Sequence, residues 1–477
     1  MAVRGASTPS SSGLRMRTTG SPMAPTAAPG AWSLPQSSLE SLVPAGDANS
    51  NGPARRGTCV RIPALLAAML LLAGCLQAGH GVPAPGAAAP PGAPGLQFRA
   101  PVDLGSKARP PAAGTNCQDS AVDGDCGLGE PEVEVAGDGT VYVSGVCCLT
   151  VPPPVYVSRD GGATFKELAS NGERELLGIE GDFAIDGRGR VYFADIEFAA
   201  TFQVTVWDKD GTFVRHTKWP APPIVDRDWI RAEGDGVLYY AYNTGSATNL
   251  YKSTDAGATW SAAPLHTARF GLGNLVAGPR DGSLCIVGGD AGGLRTADCT
   301  ADGGLTWKVE TSTAPTGGNF PVGAFDEAGN LYLGSDAKDA ITVALRTPDG
   351  HWAAPVNVSG PGHHKMPWMA AGRDGAAVVA WYGANASAPD LWMLHVAVSR
   401  DHGASWQDTV ADPVPVFHGQ LGRDLLDFFQ VEVGPDGGVH VAYSSLPVGE
   451  GNEEQLHYVR SGPDPTLAPL HYRNGPH

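Results

Sequence analysis

A chain of 477 residues with 64 Gly and 40 Pro but only 17% charged residues has room for two or three domains, and it is built for turns, without long helical patterns. Acidic residues outnumber basic ones 49 to 32, and residues 1–74 hold 6 Arg against only Glu40 and Asp47, so the remainder stands at 47 against 26, or −21. That balance repels phosphate polymers and excludes nucleic acid as an expected partner.

Residues 1–54, rich in Ala, Pro, Ser and Gly and without an apolar period, cannot bury enough surface to offset ordering. They are expected to be a disordered extension, or to lie upstream of a true start near Val60. Arg55, Arg56 and Arg61 then precede an apolar run from Ile62 to Ala73 that ends in Leu72-Ala73-Gly74-Cys75. A basic stretch, an apolar segment too short to span a bilayer and a small-residue cleavage site make 55–75 a signal peptide. Its last four residues resemble the lipobox of bacterial lipoproteins, which implies lipidation of Cys75; an ordinary secretory signal is the alternative. Either way the chain is expected to be exported, at the cell envelope or secreted. Residues 76–96, Pro, Ala and Gly with Gln and His, form a tether.

Six cysteines follow, an even number that in an exported chain favours disulfides. Cys285 and Cys299 fall on neighbouring strands of one hairpin and are expected to pair. Cys117, Cys126, Cys147 and Cys148 crowd the first repeat and are expected to form two more bonds, with zinc as the alternative.

From 97 to 477 two landmarks recur, mostly every 45 to 50 residues. The first is an apolar strand, an Asp/Gly turn and a second apolar strand, at Asp138-Gly139, Asp186 to Gly189, Asp235-Gly236, Asp281-Gly282, Asp326 to Gly329, Asp374-Gly375 and Asp436-Gly437. The second is a turn of the form Ser/Thr-x-Asp-x-Gly-x-Thr/Ser-aromatic at 158–165, 253–260, 300–307 and 399–406, with shortened copies at 210–213 and 349–352. Seven hairpins predict an all-β, seven-bladed β-propeller of four-stranded antiparallel blades. The seventh unit has a third strand around Leu456–Arg460 but no second turn. Phe98-Arg99-Ala100-Pro101-Val102, which matches Trp352-Ala353-Ala354-Pro355-Val356, is expected to supply its fourth strand and close the ring.

The second landmark resembles the Asp box of sialidases and related propellers. The resemblance implies that Asp160, Asp210, Asp255, Asp302, Asp349 and Asp401 are structural, holding turns on the face opposite the ligand. A six-bladed sialidase fold is the alternative architecture. Sialidases use three Arg, a Tyr–Glu pair and an Asp; Arg227, Arg269 and Arg423 lie on loop-face connections, but their blade positions and the count of seven differ from that pattern.

Polar residues cluster where the inner strands begin: Glu130, Glu180, Asp182, Asp226, Arg227, Asp228, Arg269, His363, His364, Lys365, Arg423, Asp424 and Asp427, with Asp195, Glu197, Tyr382 and Glu450 on nearby loops. Asp226, Asp228 and Asp427 are the catalytic candidates, since paired carboxylates serve glycoside hydrolysis. Glu130, Asp182, Arg227, Arg269, His363, His364, Lys365, Arg423 and Tyr382 are the ligand-binding candidates. No cofactor is required; Ca2+ is the cation a carboxylate funnel would suit, and the paired His are weighed as metal ligands without a metal being assigned. The expected function is recognition of a glycan or other extracellular ligand by a monomer touching membrane only through its lipid. A glycoside hydrolase and an envelope-assembly scaffold are the alternatives.

Overall fold

The computed structural model describes residues 95–105, 128–146, 153–170, 178–197, 201–220, 225–244, 247–271, 273–317, 321–337, 339–446 and 454–472. Cys75, Cys117, Cys126, Cys147, Cys148 and Glu450, and the expected extension, signal and most of the tether, lie outside them. The described residues form seven antiparallel sheets of at least four strands and no helix. The inner strands are Gly129–Val135, Gly178–Ile185, Asp226–Glu233, Leu275–Ala277, Val322–Phe325, Gly362–Ala371 and Gln430–Val433, in blades 1 to 7. Each packs on the inner strand of the next blade, and that of blade 7 packs on that of blade 1, so the ring is closed and has seven blades, not six. Blade 6 gains a short fifth strand, Phe417–His418, beside Leu391–Ser399.

The N-terminal chain closes the ring. Val102–Gly105 is the outer strand of blade 7, antiparallel to Gln455–Arg460 with Val102 opposite Tyr458. The sequence placed this strand at Phe98–Val102; the ladder lies a few residues later, and Phe98 makes only an isolated bridge to Ser461. Leu96, just upstream, is buried in the core.

Hydroxyl and carboxylate caps account for the recurring turns. In blade 3 the Asp255 carboxylate accepts the Thr259 amide at 2.8 Å and its hydroxyl at 2.6 Å, while the Ser253 hydroxyl accepts the Gly257 amide at 2.9 Å. The residue after the Asp has positive φ, a conformation suited to glycine but adopted here by Ala256 and, in blade 6, His402. Its amide donates to the inner hairpin turn of the same blade (Ala256 to Gly236, Gly303 to Gly282, His402 to Gly375), which puts both landmarks on one face. In the shortened turn of blade 2 the cap is Asp208, which accepts the amides of Asp210 and Thr212. Cys285 and Cys299 stand directly opposite in the ladder of blade 4 and are disulfide-bonded.

Candidate functional site

At the other face the inner strands begin, and there the ladder is irregular. Bulges interrupt it between Gly129 and Glu132, Gly178 and Gly181, Asp226 and Asp228, and Lys365 and Trp368. Seven described non-glycine residues have positive φ, and four of them, Glu130 (44°), Arg227 (54°), Met366 (55°) and Leu426 (56°), lie around this mouth. A Cβ at Gly129 would meet the side-chain ends of Glu454 and Leu426 at 2.3 and 2.4 Å, and both would have to shift.

The bulge at Arg227 decides which candidates meet. Residues 226 and 228 of a regular strand would share a face. With Arg227 as the extra residue, Asp226 is exposed while Asp228 is fully buried, its carboxylate accepting the Tyr240 hydroxyl at 2.9 Å. The buried Arg227 guanidinium pairs with Asp427 at 2.9 Å, and Arg423 reaches the same Asp427 oxygen at 3.0 Å from an exposed position. The Arg227 amide donates to the buried Glu180 carboxylate. Glu130 is buried beside them, within the fields of Arg227, Asp427, Asp226 and Arg423. Glu130, Glu180, Asp226, Arg227, Arg423 and Asp427, from blades 1, 2 and 3 and the approach to blade 7, therefore form one group.

Burial sets the protonation of this group. It pushes the Glu130 carboxyl up to about 8, opposed by the Arg227 charge, and pushes Glu180 well above the usual carboxylate range with Glu130 adding to the effect. Asp228 is raised by burial and by Asp195. The mouth is thus a guanidinium ringed by carboxyls of which the buried ones hold protons near neutrality.

Other candidates lie elsewhere or hold the fold together. Asp182 accepts the Ile230 amide at 2.9 Å, the Arg231 guanidinium at 2.5 Å and the Gln430 amide at 3.1 Å, tying blades 2, 3 and 7 at the waist. Tyr382 is buried, donating to the Ser444 carbonyl at 3.2 Å and accepting the Ser444 amide at 3.0 Å, a clasp between blades 6 and 7. His363 and His364 point to opposite faces of their strand: His363 is exposed 3.7 Å from Asp339, whereas His364 is buried between the Gly360 carbonyl and the Trp381 indole. Adjacent strand residues cannot turn to one metal. Lys365 donates to the Leu421 carbonyl at 2.6 Å, and Arg269 is exposed beyond the last strand of blade 3.

Three features were not foreseen. Trp229, Trp368 and Phe428, from blades 3, 6 and 7, meet across the axis with ring centres 5.2 to 5.6 Å apart and plug the channel below the mouth. Beyond the plug, a cavity of about 500 Å³ lined in part by Glu134, Arg231, Glu432 and Trp368 opens toward the turn face, where Pro469–Tyr472 lies at its rim. Third, Glu132 is buried with neither carboxyl oxygen hydrogen-bonded. The run Gly129-Glu-Pro-Glu-Val-Glu-Val135 carried a signal for it: three carboxyls at alternate positions of an innermost strand.

No protein-family profile matches the sequence, and no curated protein matches it. Solved structures resemble the fold alone. YCF48 bound to D1 peptide is 17% identical, with 72% of this chain and 94% of that one covered at a TM-score of 0.44. The six-bladed fucose-binding lectin of Aleuria aurantia is 11% identical, covering 62% and 97% at 0.40. The α-L-arabinofuranosidase Arb93A of Fusarium graminearum is 13% identical, covering 76% and 97% at 0.40. The chain is a seven-bladed β-propeller.

Proposed function

We propose that this propeller recognises a glycan, or a comparably polar extracellular ligand, at the mouth of its channel, and that it is exported and held at the cell envelope through Cys75. The carrying observation is the Glu130–Arg227–Asp427 group, in which Glu130, Arg227 and Leu426, the residue before Asp427, stand on left-handed backbone. Holding a non-glycine residue there costs on the order of 1 kcal/mol or more, and such strain persists where the surroundings fix a side chain for use. A guanidinium between carboxyls offers donors and acceptors at hydrogen-bonding spacing, which suits neighbouring sugar hydroxyls. The Asp-box-like turns support a place in the wider sialidase-like group, with their Asp residues structural and on the opposite face.

A glycoside hydrolase is the second reading, favoured by one observation: Glu130 keeps its proton to about pH 8 beside Asp427 and Asp226. A proton-holding acid near a second carboxylate is the pairing that glycosidic cleavage uses. The scaffold reading has less support, since the large exposed apolar side chains described are Val214, Leu305, Val309, Val410, Val414 and Leu470, divided among blades 2, 4 and 6 and the tail. The test is a panel of glycans and aryl glycosides offered to the purified protein and to Glu130→Gln and Asp427→Asn. Saturable binding weakened by both substitutions supports recognition. Turnover abolished by Glu130→Gln makes it an enzyme, and neither binding nor turnover refutes both readings.

A further inference from the structure

Buried carboxyls gather below the mouth in excess of the cations that face them. Glu132, Asp182 and Asp228 come from the inner strands of three consecutive blades; Asp182 and Asp228 both act electrostatically on Glu132, and Asp182 on Asp228. Arg231 is committed to Asp182, and the Arg227 guanidinium to Asp427. Among the described residues no Lys, Arg or His forms an ion pair with Glu132 or Asp228. Glu132 has no exposed surface and no hydrogen bond to either carboxyl oxygen, and Oδ1 of the equally buried Asp228 has none either. A buried carboxyl in that condition is costly whether ionised or protonated, so three unbonded oxygens on side chains that repel one another call for a partner.

We infer that Glu132, Asp228 and Asp182 bind a divalent cation of the Ca2+ type below the channel mouth, locking the inner strands of blades 1, 2 and 3 together. The donors are all oxygen, with neither His nor Cys among them, which suits a hard cation and not zinc. Side chains this buried leave no opening for an organic ammonium. As they stand, no three of these oxygens lie within 4.8 Å of one another. Like carboxylates repel, and drawing them in is what the ion does; Glu132, with no hydrogen bond to break, is the side chain that moves. The trio that already meets that spacing, Asp326, Asp374 and His402, is a weaker candidate. Asp374 and His402 of that trio are exposed, and exposed acidic groups commonly gather without an ion.

The inference does not rest on the ligand reading. Its test is calorimetric titration of the chelator-treated full protein with CaCl2, with thermal unfolding in Ca2+ and in EDTA alongside. Wild type and Asp374→Asn are expected to bind one Ca2+ and to melt several degrees higher in its presence. Glu132→Gln and Asp228→Asn are expected to bind it at least tenfold more weakly and to lose the thermal shift. Wild type that binds no Ca2+, a folded Glu132→Gln or Asp228→Asn protein that binds it normally, or loss in Asp374→Asn alone would overturn the assignment. Should neither mouth variant fold, terbium decides on wild type: Tyr-sensitised emission displaced by Ca2+ is expected, because the Tyr240 hydroxyl touches Asp228, and its absence refutes the site. A chain that binds Ca2+ but no glycan removes the proposed function and leaves this inference standing.

Discussion

Replacing Glu130 by Gln keeps the shape of the side chain and removes its titration. In the folded chain burial holds this carboxyl at about 8, against 4.5 in an unfolded one. Between those values the native state keeps a proton that the unfolded state has lost, so stability falls as pH rises from about 4.5 to about 8, by up to ~1.4 kcal/mol per unit from this group. Glu130→Gln should therefore gain on wild type between pH 5 and pH 9 by about 2–4 kcal/mol, the lower figure applying if water reaches the mouth. The assay is urea unfolding followed by Trp fluorescence at both pH values, in EDTA so that cation binding does not enter. Parallel pH profiles for the two proteins would show that Glu130 titrates normally, and the case for a proton-holding carboxyl at the mouth would fall.

Three further outcomes are expected. Deleting the chain through Gly105 should leave the Gln455–Arg460 edge unpaired, and size-exclusion chromatography should show aggregation where the intact protein is monodisperse. Cys285→Ser with Cys299→Ser should lower stability by about 2–3 kcal/mol, read from the urea midpoint, since the bond closes a short loop. Asp255→Ala should lower the melting temperature by a few degrees and leave ligand affinity unchanged, because its carboxylate caps a turn on the far face.

The blades were legible because each is announced by local chemistry: an Asp/Gly turn between apolar strands, then a hydroxyl–carboxylate cap. The closing strand could be found by likeness to Trp352–Val356, although its register could not, since pairing with Tyr458 is set across the whole chain. The mouth was legible only as a set of polar strand ends. Alternation predicts that Asp226 and Asp228 share a face; one extra residue at Arg227 separates them, and no sequence pattern marked that bulge. Tyr382 and Asp182 read as ligand-facing because polar side chains at strand ends often are, but their partners, Ser444 and Gln430, are far away in the sequence and close the ring. Glu132 was overlooked because a strand of alternating Glu and apolar residues normally turns its acids to water, and only an inner strand walled in by blades on both sides buries them.

The central claim is that Arg227, paired with Asp427 in the field of Glu130, contacts the ligand. Calorimetric titration of wild type, Arg227→Gln and Asp255→Ala with the tightest-binding glycan of the panel tests it most directly. Glutamine at 227 meets the same backbone strain as arginine, so the comparison isolates the guanidinium. At least tenfold weaker binding by Arg227→Gln, with Asp255→Ala equal to wild type, is the predicted result; equal affinity for all three proteins, or no glycan bound by wild type, would contradict it.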